Sequence, residues 1–192
     1  MKVVFVTGNE KKWAEVKALL PEWIELQRMN LDLMEIQGSR SEIATFKCKQ
    51  AASMIDDRNV AIITEDTSLG FTALRNLPGP YIKHFLDAIK HEGLNNLLVA
   101  YEDKSATAYC TVAYWNRMET DEPLVFEGST AGSIVPARGP ALFGWDPIFE
   151  PVESSVPKKT FAEMTMSEKN AISHRHRAFA QLATHFENSL KQ

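Results

Sequence analysis

Cysteine is scarce in this chain: Cys48 and Cys110 are the only two, too few for the disulfide framework of a small secreted domain. A reducing, cytoplasmic setting is therefore expected. Long apolar runs are missing as well. Val3 to Val6 falls short of a signal-peptide core, and no stretch is long enough to span a bilayer. Basic excess is also lacking. At a net charge of −4 the chain has no electrostatic footprint for nucleic acid or an anionic membrane, and neither partner is expected. The single glycine of the first strand-to-helix turn, Gly8, gives neither the P-loop nor the dinucleotide-binding spacing, and no repeat, low-complexity segment or linker interrupts the chain. What remains is 192 residues with 44% hydrophobic and 24% charged side chains. That is enough for a sizeable core, and one domain over residues 1–192 is expected.

The chain turns on Val60-Ala61-Ile62-Ile63-Thr64-Glu65-Asp66-Thr67. Its β-branched and small apolar residues read as a buried parallel strand, with Glu65 and Asp66 at the carboxyl end where open α/β sheets place their ligands. Two adjacent acids beside a core repel each other, so one must hold a proton, point to solvent or share a cation. A hard divalent ion would relieve them; an acidic surface turn is the plainer alternative.

Lys2 to Val6 is a first strand, followed by Thr7-Gly8-Asn9-Glu10-Lys11-Lys12 and a helix carrying Trp13, Val16, Leu19 and Leu20 that stops at Pro21. Asn9 is its expected N-cap. Lys11 and Lys12 stand at the positive end of the helix dipole, where acids are preferred, and backbone N–H groups with two ammonium groups would suit a polyphosphate. Two solvated lysines are the alternative. Glu22 to Met29 reads as a second strand, and Glu35 lies in an apolar loop before the capping box of Ser39 and Glu42. The helix it opens runs to about Ile55, with Lys47 inside the apolar stripe, either snorkelling or reaching a phosphate. Pro80 opens a further helix from Tyr81 to Lys90 with Lys83 in its early turns, broken by His91-Glu92-Gly93.

Ser105 to Trp115 and Leu124 to Val135 read as a hairpin of long strands, with Gly128 and Gly132 marking bulges or close approach. In Phe143-Gly144-Trp145-Asp146-Pro147, two aromatics and an acid could wall a flat ring, with Asp146 accepting from ring N–H groups; a turn tucked on the sheet is equally consistent. A last helix is expected from Thr165 or Ser167 to about Leu190, opened by a capping box of Thr165 and Glu168. It carries Arg175 inside the stripe Ile172, Phe179, Leu182, Ala183 and Phe186. A buried guanidinium needs a partner, such as Asp146 or a ligand carbonyl.

Six blocks in this order resemble the inosine triphosphate pyrophosphatases, also called the Ham1-like family, in their eukaryotic form. They are Thr7 to Lys12, Asp32 to Gly38, Glu65-Asp66-Thr67, Leu77 to Lys83, Phe143 to Pro147 and Ser167 to Arg175. The chain departs from the pattern at His176 and at Ser39-Arg40-Ser41. The resemblance implies an α/β fold with a mixed central sheet, flanking helices and two lobes around a cleft, and a homodimer. It implies hydrolysis of ITP, dITP and XTP to the monophosphate and pyrophosphate with Mg²⁺, Mn²⁺ being an alternative. Glu35 and Asp66 would hold the metal, Asp66 would deprotonate water and Glu65 would support both. Thr7, Gly8, Asn9, Glu10, Lys11, Lys12, Lys47, Thr67 and Lys83 would bind the triphosphate. Phe143, Gly144, Trp145, Asp146, Lys169, His174 and Arg175 would surround the base. A regulatory nucleotide binder without chemistry, and a single-strand binder stacking bases on Phe143 and Trp145, are the competing classes.

Overall fold

The near-continuous apolar runs of Val3 to Val6 and Val60 to Ile63 predict strands buried on both faces, and the structure has them. A computed structural model describes residues 1–190. In chain order the elements are β1 (Lys2–Val6), α1 (Glu10–Lys17), β2 (Glu25–Met29), α2 (Arg40–Met54), β3 (Ala61–Phe71), β4 (Leu77–Gly79) and α3 (Ile82–Asn96). β5 (Ser105–Trp115), β6 (Leu124–Ile134), β7 (Phe149–Pro151), α4 (Met166–Ile172) and α5 (His174–Ser189) complete the fold. The strands form a seven-stranded sheet in the order β2-β1-β3-β5-β6-β7, with β4 pairing on β3. β1 runs parallel to β2 and β3, whereas β3–β4 and β6–β7 are antiparallel. The expected mixed α/β sheet with flanking helices is present.

The chain divides into two compact units. The first holds Met1–Asp66, Cys110–Gly128 and α5 from Arg175 onward; the second holds Thr67–Tyr109 and Ser129–His174. In the first unit, alternate residues of each strand enter different cores, as a pleat requires. Val3, Phe5, Ala61, Ile63, Val112 and Tyr114 pack with Val16 of α1 and with Phe179, Leu182 and Phe186 of α5. Val4, Val6, Ile62 and Ala113 pack instead with Ala44, Cys48, Ala51 and Ala52 of α2. The second unit is built on Leu69, Phe71, Ile82, Leu94, Ala106, Ile134, Trp145, Phe149 and Phe161. Gly132 belongs to it through close approach: a Cβ there would lie 2.5 Å from the Phe149 ring.

Three expectations need correcting. β3 does not end at Glu65 and Asp66; it continues to Phe71, because Leu69, Gly70 and Phe71 pair with Gly79, Pro78 and Leu77 of β4. The break after Lys83's helix falls at Lys90, which takes φ 60° and ψ −172°, and helix resumes at once to Asn96. The final helix is two helices. Ser173 is extended (φ −74°, ψ 148°) and buried, so Ile172 closes α4 and joins the second unit's core while Phe179 and Leu182 serve the first.

Candidate active site

The parallel ladder between β1 and β3 ends at Phe5 and Ile63, so Glu65 and Asp66 still follow the last parallel pair although the strand runs on. Being consecutive in a strand, they face opposite sides of the sheet. That separation answers their repulsion: each acid has its own cation.

On the α2 side, Lys47 Nζ donates to Asp66 Oδ1 and to Glu35 Oε1, both at 3.0 Å. Ser39 caps α2 through the expected box with Glu42, which fixes the helix phase that turns Lys47 toward β3. The Met34 N–H donates to Gln50 Oε1 at 2.7 Å, tying the loop of Glu35 onto the same helix. Burial pushes the Lys47 ammonium down, yet Asp66 and then Glu35 outweigh it and hold it above its ordinary value. It is therefore a permanent cation between two carboxylates. Lys47 neither snorkels nor stands free.

On the other side, Lys12 Nζ lies 2.9 Å from Glu65 Oε2, and Arg175 Nη2 lies 3.3 Å from Glu65 Oε1. Arg175 Nη1 also pairs with Glu15. Two cations and two anions make a balanced buried set, the condition under which a buried charge is tolerable. Cys110 Sγ is 3.4 Å from Glu65 Oε1. Burial, together with the Glu65 charge, raises the Cys110 thiol well above its ordinary value, so it stays protonated and donates. Arg175 thus finds its partners in Glu15 and Glu65. Asp146, the carboxylate expected for it, is held by Lys169.

The Thr7–Lys12 turn has the expected N-cap: Asn9 Oδ1 accepts from the Lys11 and Lys12 N–H groups at 3.0 and 3.1 Å, and the Asn9 N–H donates to Thr7 Oγ1. At Gly8 a Cβ would sit 2.7 Å from Oδ1 of the exposed Asn30 side chain, which would have to swing aside. Glu10 pairs at 3.4 Å with Arg28 of β2 and Lys11 is exposed.

The second unit contributes another cluster. Lys169 Nζ lies 2.6 Å from Asp146 Oδ2, with both side chains under 10% exposed, and 4.5 Å from the Phe143 ring centre. Trp145 lies 5.5 Å from His174 with the rings tilted by 31°, and packs edge-on against Phe149. Trp145 is thus a core residue of this unit at 7% exposure, while Phe143 is half-buried and Gly144 exposed. Thr67 is half-buried on β3, and Lys83 is exposed on the first turn of α3.

Sequence reasoning missed Glu15 and His91. Glu15 carried a usable signal, an acid beside Val16 on the buried side of α1. His91 carried none; its Nε2 lies 2.8 Å from the Gly144 carbonyl oxygen across 53 residues of sequence.

Residues 3–185 match the Ham1 family. The chain belongs to the Ham1 family. An inosine triphosphate pyrophosphatase of Podospora anserina is 51% identical over 98% of this chain and 96% of its own, and one of Ajellomyces capsulatus is 52% identical over 95% of each. Among solved structures, the Ham1 protein of Staphylococcus aureus superimposes with a TM-score of 0.82 at 26% identity, covering 98% of this chain and all of that one. A nucleoside-triphosphatase and dITP/XTP pyrophosphatase of Mycobacterium abscessus gives 0.72 at 29%, covering 95% and 98%. These Ham1 likenesses extend over both units.

Among the described residues, no group of three or more His, Cys, Asp and Glu side chains could hold a metal by itself. Glu35 and Asp66 nevertheless meet at one ammonium. Two carboxylates converging on a cation suit Mg²⁺, which takes one or two protein carboxylates and completes its shell with water and substrate phosphates.

Proposed function

We propose that this protein hydrolyses the noncanonical purine nucleotides ITP, dITP and XTP to the monophosphate and pyrophosphate. The names of the half-identical relatives point to that substrate class. The observation that carries the chemistry is the pair of carboxylates, Glu35 and Asp66, closed on Lys47. In this reading Glu35 and Asp66 hold Mg²⁺, with Mn²⁺ as the alternative, and the ion supplies charge neutralisation on the phosphates. Asp66 orients a water toward the α-phosphorus and accepts its proton. The bond from the α-phosphorus to the bridging oxygen of the β-phosphate breaks, and pyrophosphate leaves with that oxygen. Lys12, Lys47 and Lys83, with the Thr7–Lys11 turn and Thr67, bind phosphate oxygens. Glu65 supports them by holding Lys12 in place.

The base falls to the second cluster. Lys169, oriented by Asp146, and His174 donate to the 6-oxo group of hypoxanthine or xanthine, while Phe143 offers a ring face. Adenine would set its amino donor against those donors, at a cost of roughly 1 to 3 kcal/mol per contact, or about ten- to hundredfold in selectivity. Trp145 and Gly144 shape this end, and Arg175, paired with Glu15 and Glu65, braces the acid that holds Lys12.

Pyrophosphate release from ITP, with and without Mg²⁺, tests the reading. Pyrophosphate as first product, with ATP far poorer, is the expected outcome; orthophosphate as first product rejects the cleavage position. No release at all would favour the regulatory binder. The resemblance adds a homodimer in the cytoplasm to this proposal, and sedimentation velocity tests the dimer.

A further inference from the structure

Helix α3 breaks at a residue that ordinarily resists such a break. Lys90, at φ 60° and ψ −172°, occupies a region that glycine tolerates and a side chain rarely adopts, and its ammonium folds back onto the Asp87 carbonyl at 2.7 Å. Such strain persists only where neighbouring structure over-determines it. The residue displaced by the break is His91, whose Nε2 meets the Gly144 carbonyl oxygen at 2.8 Å. A carbonyl oxygen can only accept, so Nε2 carries the hydrogen and the imidazole is the donor.

Gly144 is the centre of the Phe143–Trp145 turn. It has φ +48°, and a Cβ at its position would meet nothing within 4 Å. Trp145, which shares this peptide, is anchored in the second unit's core, so packing holds the peptide from one side and His91 holds it from the other. Leu142 beside it is 69% exposed, and Phe143 is only half-buried, with its ring over the Lys169 ammonium. On the Phe143 side, the Asp146 N–H closes the turn on the Phe143 carbonyl at 3.1 Å, and His91 is the side chain that holds the Gly144 carbonyl between the two rings.

The geometry points to His91 as a positioning residue for purine recognition: by holding the Gly144 carbonyl it sets Phe143 against Lys169 at the end that reads the base. This rests on the assignment of Phe143 and Lys169 to the base made above.

Equilibrium binding of ITP, measured by calorimetry with a chelator present so that no turnover occurs, tests it on four proteins: wild type, His91→Ala, His91→Leu and His91→Gln. Leucine keeps bulk without a donor, and glutamine returns an N–H at a similar reach. The two variants lacking a donor should bind ITP about five- to tenfold more weakly, with glutamine within about twofold of wild type. Inorganic triphosphate, which has no base, should bind all four alike. Should the alanine variant unfold, leucine against glutamine carries the comparison. The inference is overturned if the leucine variant binds ITP as wild type does, if glutamine is as poor as leucine, or if triphosphate binding falls in parallel. Pyrophosphate release is scored separately. Loss of that activity in wild type, with His91-dependent ITP binding intact, rejects the hydrolase reading alone; wild type failing to bind ITP rejects both.

Discussion

A guanidinium that is 1% exposed cannot shed its proton, so Arg175 obliges the protein to bury acids beside it, and Glu15 and Glu65 are those acids. Arg175→Ala removes the guanidinium that Glu15 and Glu65 share and should cost about 3 to 5 kcal/mol. Thermal denaturation without ligand measures it; a midpoint close to wild type would remove the bracing role and return Arg175 to the base. Asp66→Asn is a different probe. The amide keeps the shape and can still contact Lys47, but it is a poor metal ligand and no base, so the fold and ITP binding should survive while turnover falls at least about a hundredfold. Near-native turnover would exclude Asp66 as the catalytic carboxylate. Arg175 was legible in the sequence because a charge inside an apolar stripe is anomalous on its own element. Its partner was not, because Glu15 and Glu65 meet it only through packing of α1, β3 and α5. The same limit applied to Trp145: an aromatic beside glycine reads equally as a ligand wall or as core, and the rings of Phe149 and Phe161, which decide for core, lie elsewhere in sequence.

Elements set by local chemistry were the readable ones. The caps at Asn9, Ser39 and Thr165 and the limits of β5 follow from side chains within three residues or from strict patterning. Boundaries set by distant pairing were not. β3 extends past two acids only because β4 returns to pair with it, and α4 separates from α5 at a serine with no proline or glycine to announce it. The kink at Lys90 is of this second kind, and it stores strain. Lys90→Gly removes the Cβ conflict of a positive φ. Even after glycine's greater freedom in the unfolded chain is charged against it, the variant should gain about 1 kcal/mol. Urea denaturation measures the gain. A loss of stability instead would mean that the Lys90 ammonium on the Asp87 carbonyl outweighs the backbone strain.

At the scale of the whole molecule, the two buried thiols govern how folding responds to alkali. Burial pushes the Cys48 thiol from its ordinary 9.0 up to about 12, with the hydrogen bond from Thr64 only partly offsetting it, and Cys110 is raised as well. Below pH 9 a thiol is protonated in folded and unfolded chains alike, and its full contribution is present. Between pH 9 and about 12 the unfolded chain releases the Cys48 proton while the folded chain retains it. Unfolding is then favoured by about 1.4 kcal/mol for each pH unit, and the loss levels off once the folded thiol also ionises. The carboxylates work in the opposite window: Glu127, lowered chiefly by its hydrogen bond from Arg40, and Glu168, lowered to about 2 by Lys159, contribute above the ordinary carboxylate range and lose that contribution as pH falls. These groups make stability fall above pH 9 and fall again as pH drops through the carboxylate range. Cys48→Ala separates the alkaline arm from general weakening. It leaves a cavity in the α2 core and lowers stability at every pH, but it also removes one proton's worth of slope above pH 9, leaving that of Cys110 and, above pH 10, that of Tyr114, whose hydroxyl burial likewise pushes up. Denaturant midpoints at pH 7, 9, 10 and 11 for both proteins give the two slopes. Equal slopes would show that Cys48 ionises in the folded chain as readily as in the unfolded one, and that the α2 face of the sheet admits water.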